Sequence, residues 1–103
     1  MLSHDVYFTL NDASPAAIEK IIADCHKYLK HHPGVVFYAA GTLVEELSRP
    51  VNQKDFHVAL HVVFDSKASH DAYQAAEDHL KFIAENKPNW KQVRVFDAYV
   101  SAG

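Results

Sequence analysis

Phe56-His57-Val58-Ala59-Leu60-His61-Val62-Val63-Phe64 is the stretch that decides the fold. Alternate residues of a β-strand point to opposite faces. One face of this segment is therefore Phe56, Val58, Leu60, Val62 and Phe64, wholly apolar. The other is His57, Ala59, His61 and Val63, apolar only in part. A strand with one fully apolar face packs that face under helices.

The flanks follow from it. Upstream, Val44 to Asp55 is polar, holds Pro50 and has no period, so it reads as a loop. Before the loop, Val35 to Leu43 is a second strand, with Gly41 as the expected bulge or close backbone approach. Downstream, Ser66 can cap a helix over Lys67 to Ala75. A further helical segment from about His79 to Glu85 follows an irregularity, and Asn86 to Asn89, with Pro88, ends it. Lys91 to Val100 is the last strand.

At the other end, Leu2 to Leu10 alternates with Leu2, His4, Val6, Phe8 and Leu10 on one side, apolar except for His4. After the turn Asn11-Asp12-Ala13, Ser14-Pro15 is an N-cap followed by a first helical residue. Ile18, Ile21, Ile22, Cys25 and Leu29 then recur at helical spacing, and Pro33-Gly34 stops the helix. The order is β-α-β-β-α-β. It predicts an α+β, ferredoxin-like protomer, an antiparallel four-stranded sheet with its helices on one face.

The second sheet face is rich in apolar residues as well: Tyr7, Ala59, Val63, Phe96 and Val100. Contiguous exposed apolar surface marks an interface. Two such sheets packed face to face give a homodimer through the face bearing His57, Ala59, His61 and Phe96.

At 103 residues the chain is the size of one domain, residues 1–103. A net charge of −3 with scattered Lys and Arg argues against nucleic acid as a partner. No run reaches the roughly 20 apolar residues that span a bilayer, so no membrane partner is expected. The N-terminus alternates instead of opening with a basic start and an apolar run. Cys25 is the single cysteine, which suits a reducing compartment, so the expected location is cytoplasmic.

These pieces, in order, resemble the stress-responsive dimeric α/β-barrel (Dabb) family over about His4 to Asp97. They are His4 in the first strand, Pro33-Gly34-Val35, Val63-Phe64-Asp65-Ser66, Ala72-Tyr73, His79 six positions on, Phe82, and Phe96-Asp97. The resemblance implies ferredoxin-like protomers with sheets facing across a dimer. A plant polyketide cyclase of the family works without a cofactor. By position its acting tyrosine and histidine correspond to Tyr73 and His79, its first-strand histidine to His4, a pocket tryptophan to Trp90, and a last-strand aspartate to Asp97. Its third-strand histidine falls on Val58. The chain departs from it just before His79, where Ala75-Ala76-Glu77-Asp78 replaces a His-Pro pair.

The resemblance thus implies a pocket lined by His4, Val58, Tyr73, His79, Trp90 and Asp97, with no cofactor and no metal. Its occupant would be an apolar or aromatic small molecule. Bound without turnover, it makes the chain a stress-responsive binding homodimer. With Tyr73 and His79 as catalytic residues, a neutral imidazole beside a phenol can deprotonate a carbon acid and steady the enolate, giving a cyclase- or lyase-like enzyme. The same residues can also be satisfied core polar groups, with Asp97 accepting from His4. A monooxygenase-like or haem-degrading barrel is a further reading, by fold analogy alone.

The eight histidines of the chain otherwise divide simply. His57 and His61 lie four residues apart on a strand, about 13 Å, too far for one ion. His31 and His32 complement a helix dipole. His26 faces either the pocket or solvent, and His70 is expected to face solvent. Cys25 lies on the buried stripe as an inert thiol.

Overall fold

A computed structural model describes residues Met1–Gly103. Strand β1 (Leu2–Leu10) leads to helix α1 (Pro15–Tyr28), then β2 (Val35–Thr42), β3 (Val58–Phe64), α2 (Lys67–Ala75), α3 (Glu77–Asn86), a 3₁₀ turn at Lys87–Asn89 and β4 (Trp90–Tyr99). The strands form one antiparallel sheet in the order β2-β3-β1-β4. The ferredoxin-like expectation holds. No helix is long and apolar enough to cross a membrane.

Burial follows the sequence period. Every second residue of β1, from Leu2 to Leu10, is buried, and so are Val58, Leu60, Val62 and Phe64 of β3. Against this row α1 packs Ile21, Cys25, Tyr28 and Leu29, α2 packs Tyr73, and α3 packs His79 and Phe82. The helices start where side chains can cap them. Ser14 accepts from the Ala17 amide and Ser66 from the Ser69 amide, each replacing a missing intrahelical partner. At Ala76 the backbone is extended (φ −67°, ψ 144°), which separates α2 from α3. α3 consequently begins at Glu77, two residues before the expected His79, with Glu77 and Asp78 favourably placed in its first turn.

Three local expectations are corrected. Gly41 pairs regularly with Ala59, and a Cβ there would meet nothing within 4 Å. The bulge lies instead at Val36, because Val35 pairs with Phe64 and Phe37 with Val63. Phe56 stands before β3 and packs against Tyr7 on the opposite sheet face, with ring centroids 4.9 Å apart. His57 does not stand beside His61. Its Nδ1 accepts the Leu10 backbone N–H at 3.0 Å, completing a ladder bond where the strand has not yet begun.

The protein measures 34 × 33 × 17 Å, one helix layer on one sheet. The second sheet face is uncovered. Tyr7 lies at its centre, with Phe96 (5.8 Å between centroids) and His61 (6.0 Å) around it and Phe37 and Phe96 more than half exposed. Beside Tyr7, Asp5 accepts from His61 Nδ1 at 2.6 Å.

Gly34 joins α1 to β2 at φ 86°, a conformation that L-residues with a Cβ rarely adopt. A Cβ there would also lie 2.2 Å from Ser69 Oγ and 2.8 Å from Asp65 Oδ1. Gly34→Ala is expected to destabilise the fold by about 2 kcal/mol or more in urea denaturation. Gly41→Ala, with open space above it, is expected to change stability little.

Candidate functional site

The helices cover β2, β3 and β1 more fully than β4, where Val95 is half exposed. Between the sheet and α2–α3 this leaves a cavity of about 170 Å³. His4 enters it from the buried row of β1. Tyr73 comes from α2, His79 from the first turn of α3, and Trp90 from the start of β4. The rest of the wall is mainly apolar, with Phe8, Leu60 and Phe82 among its residues.

The polar groups within this wall are not all satisfied. Tyr73 Oη, His79 Nδ1 and Trp90 Nε1 are buried and have no hydrogen-bond partner. A buried unpaired donor or acceptor costs about 1–3 kcal/mol, so three lining one cavity mark a place where a bound molecule supplies the partners. The Tyr73 and His79 rings are 4.7 Å apart by centroid, and His4 and His32 approach Tyr73 at 6.1 and 5.0 Å.

His4 is placed differently. It is 5% exposed in the middle of an apolar row, and the β1–β4 register sets Asp97 opposite it. The Asp97 carboxylate accepts from His4 Nδ1 at 2.5 Å, which puts the ring proton on that nitrogen and leaves Nε2 with its lone pair. Gln74 Nε2 lies 3.4 Å from that Nε2.

Burial also sets the charge states. It lowers the His79 pKa to about 4, helped by the neighbouring His4, so the imidazole is neutral at pH 7. It pushes the Tyr73 hydroxyl well above its ordinary value, so Tyr73 remains a donor. Burial raises the Cys25 thiol to about 12, in keeping with an inert core thiol.

Of the residues singled out from sequence, His4, Tyr73, His79 and Trp90 meet at the cavity. Asp97 lies outside it and acts on His4 alone. Val58 is corrected: it is fully buried beneath the helices and lines no part of the cavity. His26 bonds Tyr38 Oη at 2.8 Å and lies away from the cavity. His70 is not solvent-facing; its ring packs edge-on against His4 and Phe64, and its side chain is 16% exposed. Sequence reading passed over Gln74, although its i, i+4 spacing from His70 was a usable sign. A larger depression of about 400 Å³ lies on the uncovered sheet face, around Tyr7, Phe56, Arg94 and Phe96. It shares no residue with the cavity that gathers the three unpartnered atoms.

Fold and site together define a ferredoxin-like α/β protein with a small, mainly apolar cavity, holding a few polar groups, under its second helical segment. The chain belongs to the stress responsive A/B barrel domain (Dabb) family, whose sequence profile matches residues 2–100. It is similar to a Dabb family protein with a ferredoxin-like fold from Mesorhizobium loti, at 25% identity and TM-score 0.79, covering 99% of this chain and 97% of that one. A dimeric ferredoxin-like protein of unknown function from Thermobifida fusca superposes with TM-score 0.81 at 22% identity, over 96% and 90% of the two chains. A hydroxynitrile lyase from Passiflora edulis has the same fold, with TM-score 0.77 at 21% identity over 99% and 94%. No curated protein matches the chain in sequence.

The depressed pKa of His79 predicts a pH dependence of stability. In the unfolded chain the imidazole takes up a proton below its ordinary value of 6.5, whereas the folded protein resists protonation down to about 4. The unfolded state therefore binds one more proton in that window, and stability falls as pH is lowered through it. Urea denaturation from pH 7.5 to 4.5 is expected to show this loss. His79→Gln should remove one proton's worth of the slope.

Proposed function

We propose that the protein is a homodimeric single-domain barrel that binds a small molecule carrying a hydrogen-bond acceptor, such as a ketone or aldehyde, in the cavity under α2 and α3. The observation that carries this reading is that Tyr73, Trp90 and His79 line one apolar space and each carries a buried polar atom (Oη, Nε1 and Nδ1) without a partner. Tyr73 and Trp90 are donors, so the cavity complements an acceptor oxygen or nitrogen. Its volume is below the several hundred Å³ of a drug-sized site, which restricts the ligand to a few heavy atoms or one aromatic ring. Val58 plays no part. The lone thiol, buried, suits a reducing compartment such as the cytoplasm.

Dimerisation through the uncovered sheet face supports the same picture. Tyr7, Phe37, Ala59, Phe56 and Phe96 present apolar area that a second copy would remove from water. His61, tied to Asp5, sits within that face, while His57 turns to the Leu10 amide instead. The relative from Thermobifida fusca is described as dimeric.

A second reading, cofactor-free acid–base catalysis, is favoured by one observation: Asp97 holds His4 Nδ1, so Nε2 is free to accept a proton beside a protonated phenol. In that reading a C–H proton passes to an imidazole nitrogen, and the electron pair left behind delocalises onto a carbonyl oxygen that Tyr73 steadies by donation. His79, its pKa lowered by burial to about 4, is a weak base and serves better as a neutral positioning group. The hydroxynitrile lyase fold shows that this architecture hosts a lyase, and brings no residue assignment with it.

Trp90 is the single tryptophan and lines the cavity, so it reports directly on binding. Titration with acetophenone should change its fluorescence saturably, and Tyr73→Phe should weaken binding about 2- to 10-fold, the worth of one hydrogen bond. A linear, unsaturated response across a series of small aromatic and aliphatic ketones would remove the binding proposal. Light scattering should give twice 11.6 kDa, and Phe96→Asp should yield a folded monomer; a wild-type mass near 11.6 kDa would end the dimer proposal.

A further inference from the structure

Two imidazoles and a carboxylate meet at the outer end of β1, a cluster of which the readings above use only the His4–Asp97 pair. His4 comes from β1, His70 from α2 and Asp97 from β4. One donor atom of each lies within 4.8 Å of the other two. The His70 ring is oriented by a carboxylate, because its Nδ1 bonds Asp71 at 3.0 Å. Its Nε2 therefore carries the lone pair and faces the Gln74 amide at 3.5 Å. The same amide nitrogen lies 3.4 Å from His4 Nε2. One NH₂ group thus spans two imidazole acceptors, at distances beyond those of good N–H hydrogen bonds.

This pattern differs from ordinary core satisfaction. A carboxylate behind an imidazole fixes its tautomer and ring angle, as is found behind metal-ligating histidines. Two imidazoles with one carboxylate suit Zn²⁺ and its first-row neighbours, and suit Mg²⁺ or Ca²⁺ poorly. Gln74 can turn its amide so that Oε1 replaces the NH₂ group and adds a further oxygen donor. Access exists too: His70 and Asp97 line a shallow surface depression of about 200 Å³ with Leu2, Lys67, Ala98 and Tyr99. The one ammonium there, Lys67, is paired with Asp71 at 2.7 Å.

We propose that His4, His70 and Asp97 form a binding site for a Zn²⁺-class dication at the mouth of the small-molecule cavity. Bonds of about 2.0–2.1 Å place tetrahedral ligands about 3.3 Å apart, so the ion takes the place of the proton between His4 Nδ1 and Asp97, that 2.5 Å pair opens to the ligand spacing, and the widest separation closes by about 1.5 Å while Gln74 turns. Side-chain rotation supplies that distance with the strands and α2 left in place. The site shares His4 with the cavity and does not depend on the small-molecule reading.

The test uses the full chain stripped of metal by chelator and dialysis. Calorimetric titration with Zn²⁺ should give one ion per chain, and Co²⁺ should produce a saturable visible ligand-field band. His70→Ala and Asp97→Asn, both at partly exposed side chains, should each weaken Zn²⁺ binding at least about tenfold with the circular dichroism spectrum unchanged. His31→Gln, at an exposed histidine away from the cluster, should leave affinity as it was. Unaltered affinity in His70→Ala, loss of binding in His31→Gln, or no saturable cobalt band would each overturn the proposal. Acetophenone titration reads the cavity and metal titration reads the cluster, so either proposal can fail alone.

Discussion

An imidazole set into the middle of an apolar strand is the constraint around which this protein is organised. His4 occupies the buried row of β1 between Leu2 and Val6, out of contact with bulk water. A ring nitrogen in that position costs about 1–3 kcal/mol if it is left without a partner. β1 is one of the two inner strands, paired with β3 on one side and β4 on the other, and its register with β4 sets Asp97 across from His4. The pairing stabilises the buried ring, fixes its tautomer and aims Nε2 at the helices. Shifting that register by one residue would turn Asp97 to the other sheet face and strand His4.

The polar groups around His4 follow from how three short helices cover a four-stranded sheet. α1 closes over β2 and β3 with an apolar stripe, and the polar groups packed against it, Tyr38 and Asn86, find partners on the helix itself. α2 and α3 are separated by the extended residue Ala76 and bring Tyr73 and His79 down onto β1 from two directions. A 170 Å³ pocket whose lining residues carry a phenol, an indole N–H and an imidazole nitrogen without partners is a reason to look for a ligand.

Much of this architecture was legible in the chain. Phe56-to-Phe64 and Leu2-to-Leu10 carry a period of two, the Ile18-to-Leu29 stripe carries a helical period, and Pro33-Gly34 and Pro88 mark the breaks. Local patterns of that kind survive because burial enforces them. The failures lie where a side chain's surroundings come from other elements. Phe56 and His57 extend the alternation of β3, yet the strand ends before them, so Phe56 turns to Tyr7 and His57 to the Leu10 amide. Val58 keeps its period and is buried, which is why it lines no cavity. Gly41 suggested a bulge that the β2–β3 register places at Val36.

By itself the sequence determined the element order, the helix-facing row of each central strand and the presence of a second apolar sheet face. Those depend on residue spacing, and spacing is local. Only the tertiary structure decided that Asp97 serves His4 rather than His79, that Tyr73, His79 and Trp90 are left unpartnered together, and that His70 reaches His4. Such meetings join residues on different elements, as far apart as the 93 positions between His4 and Asp97, and they depend on strand register and on how α2 and α3 lie on the sheet. Neither quantity is written in the spacing of any one segment.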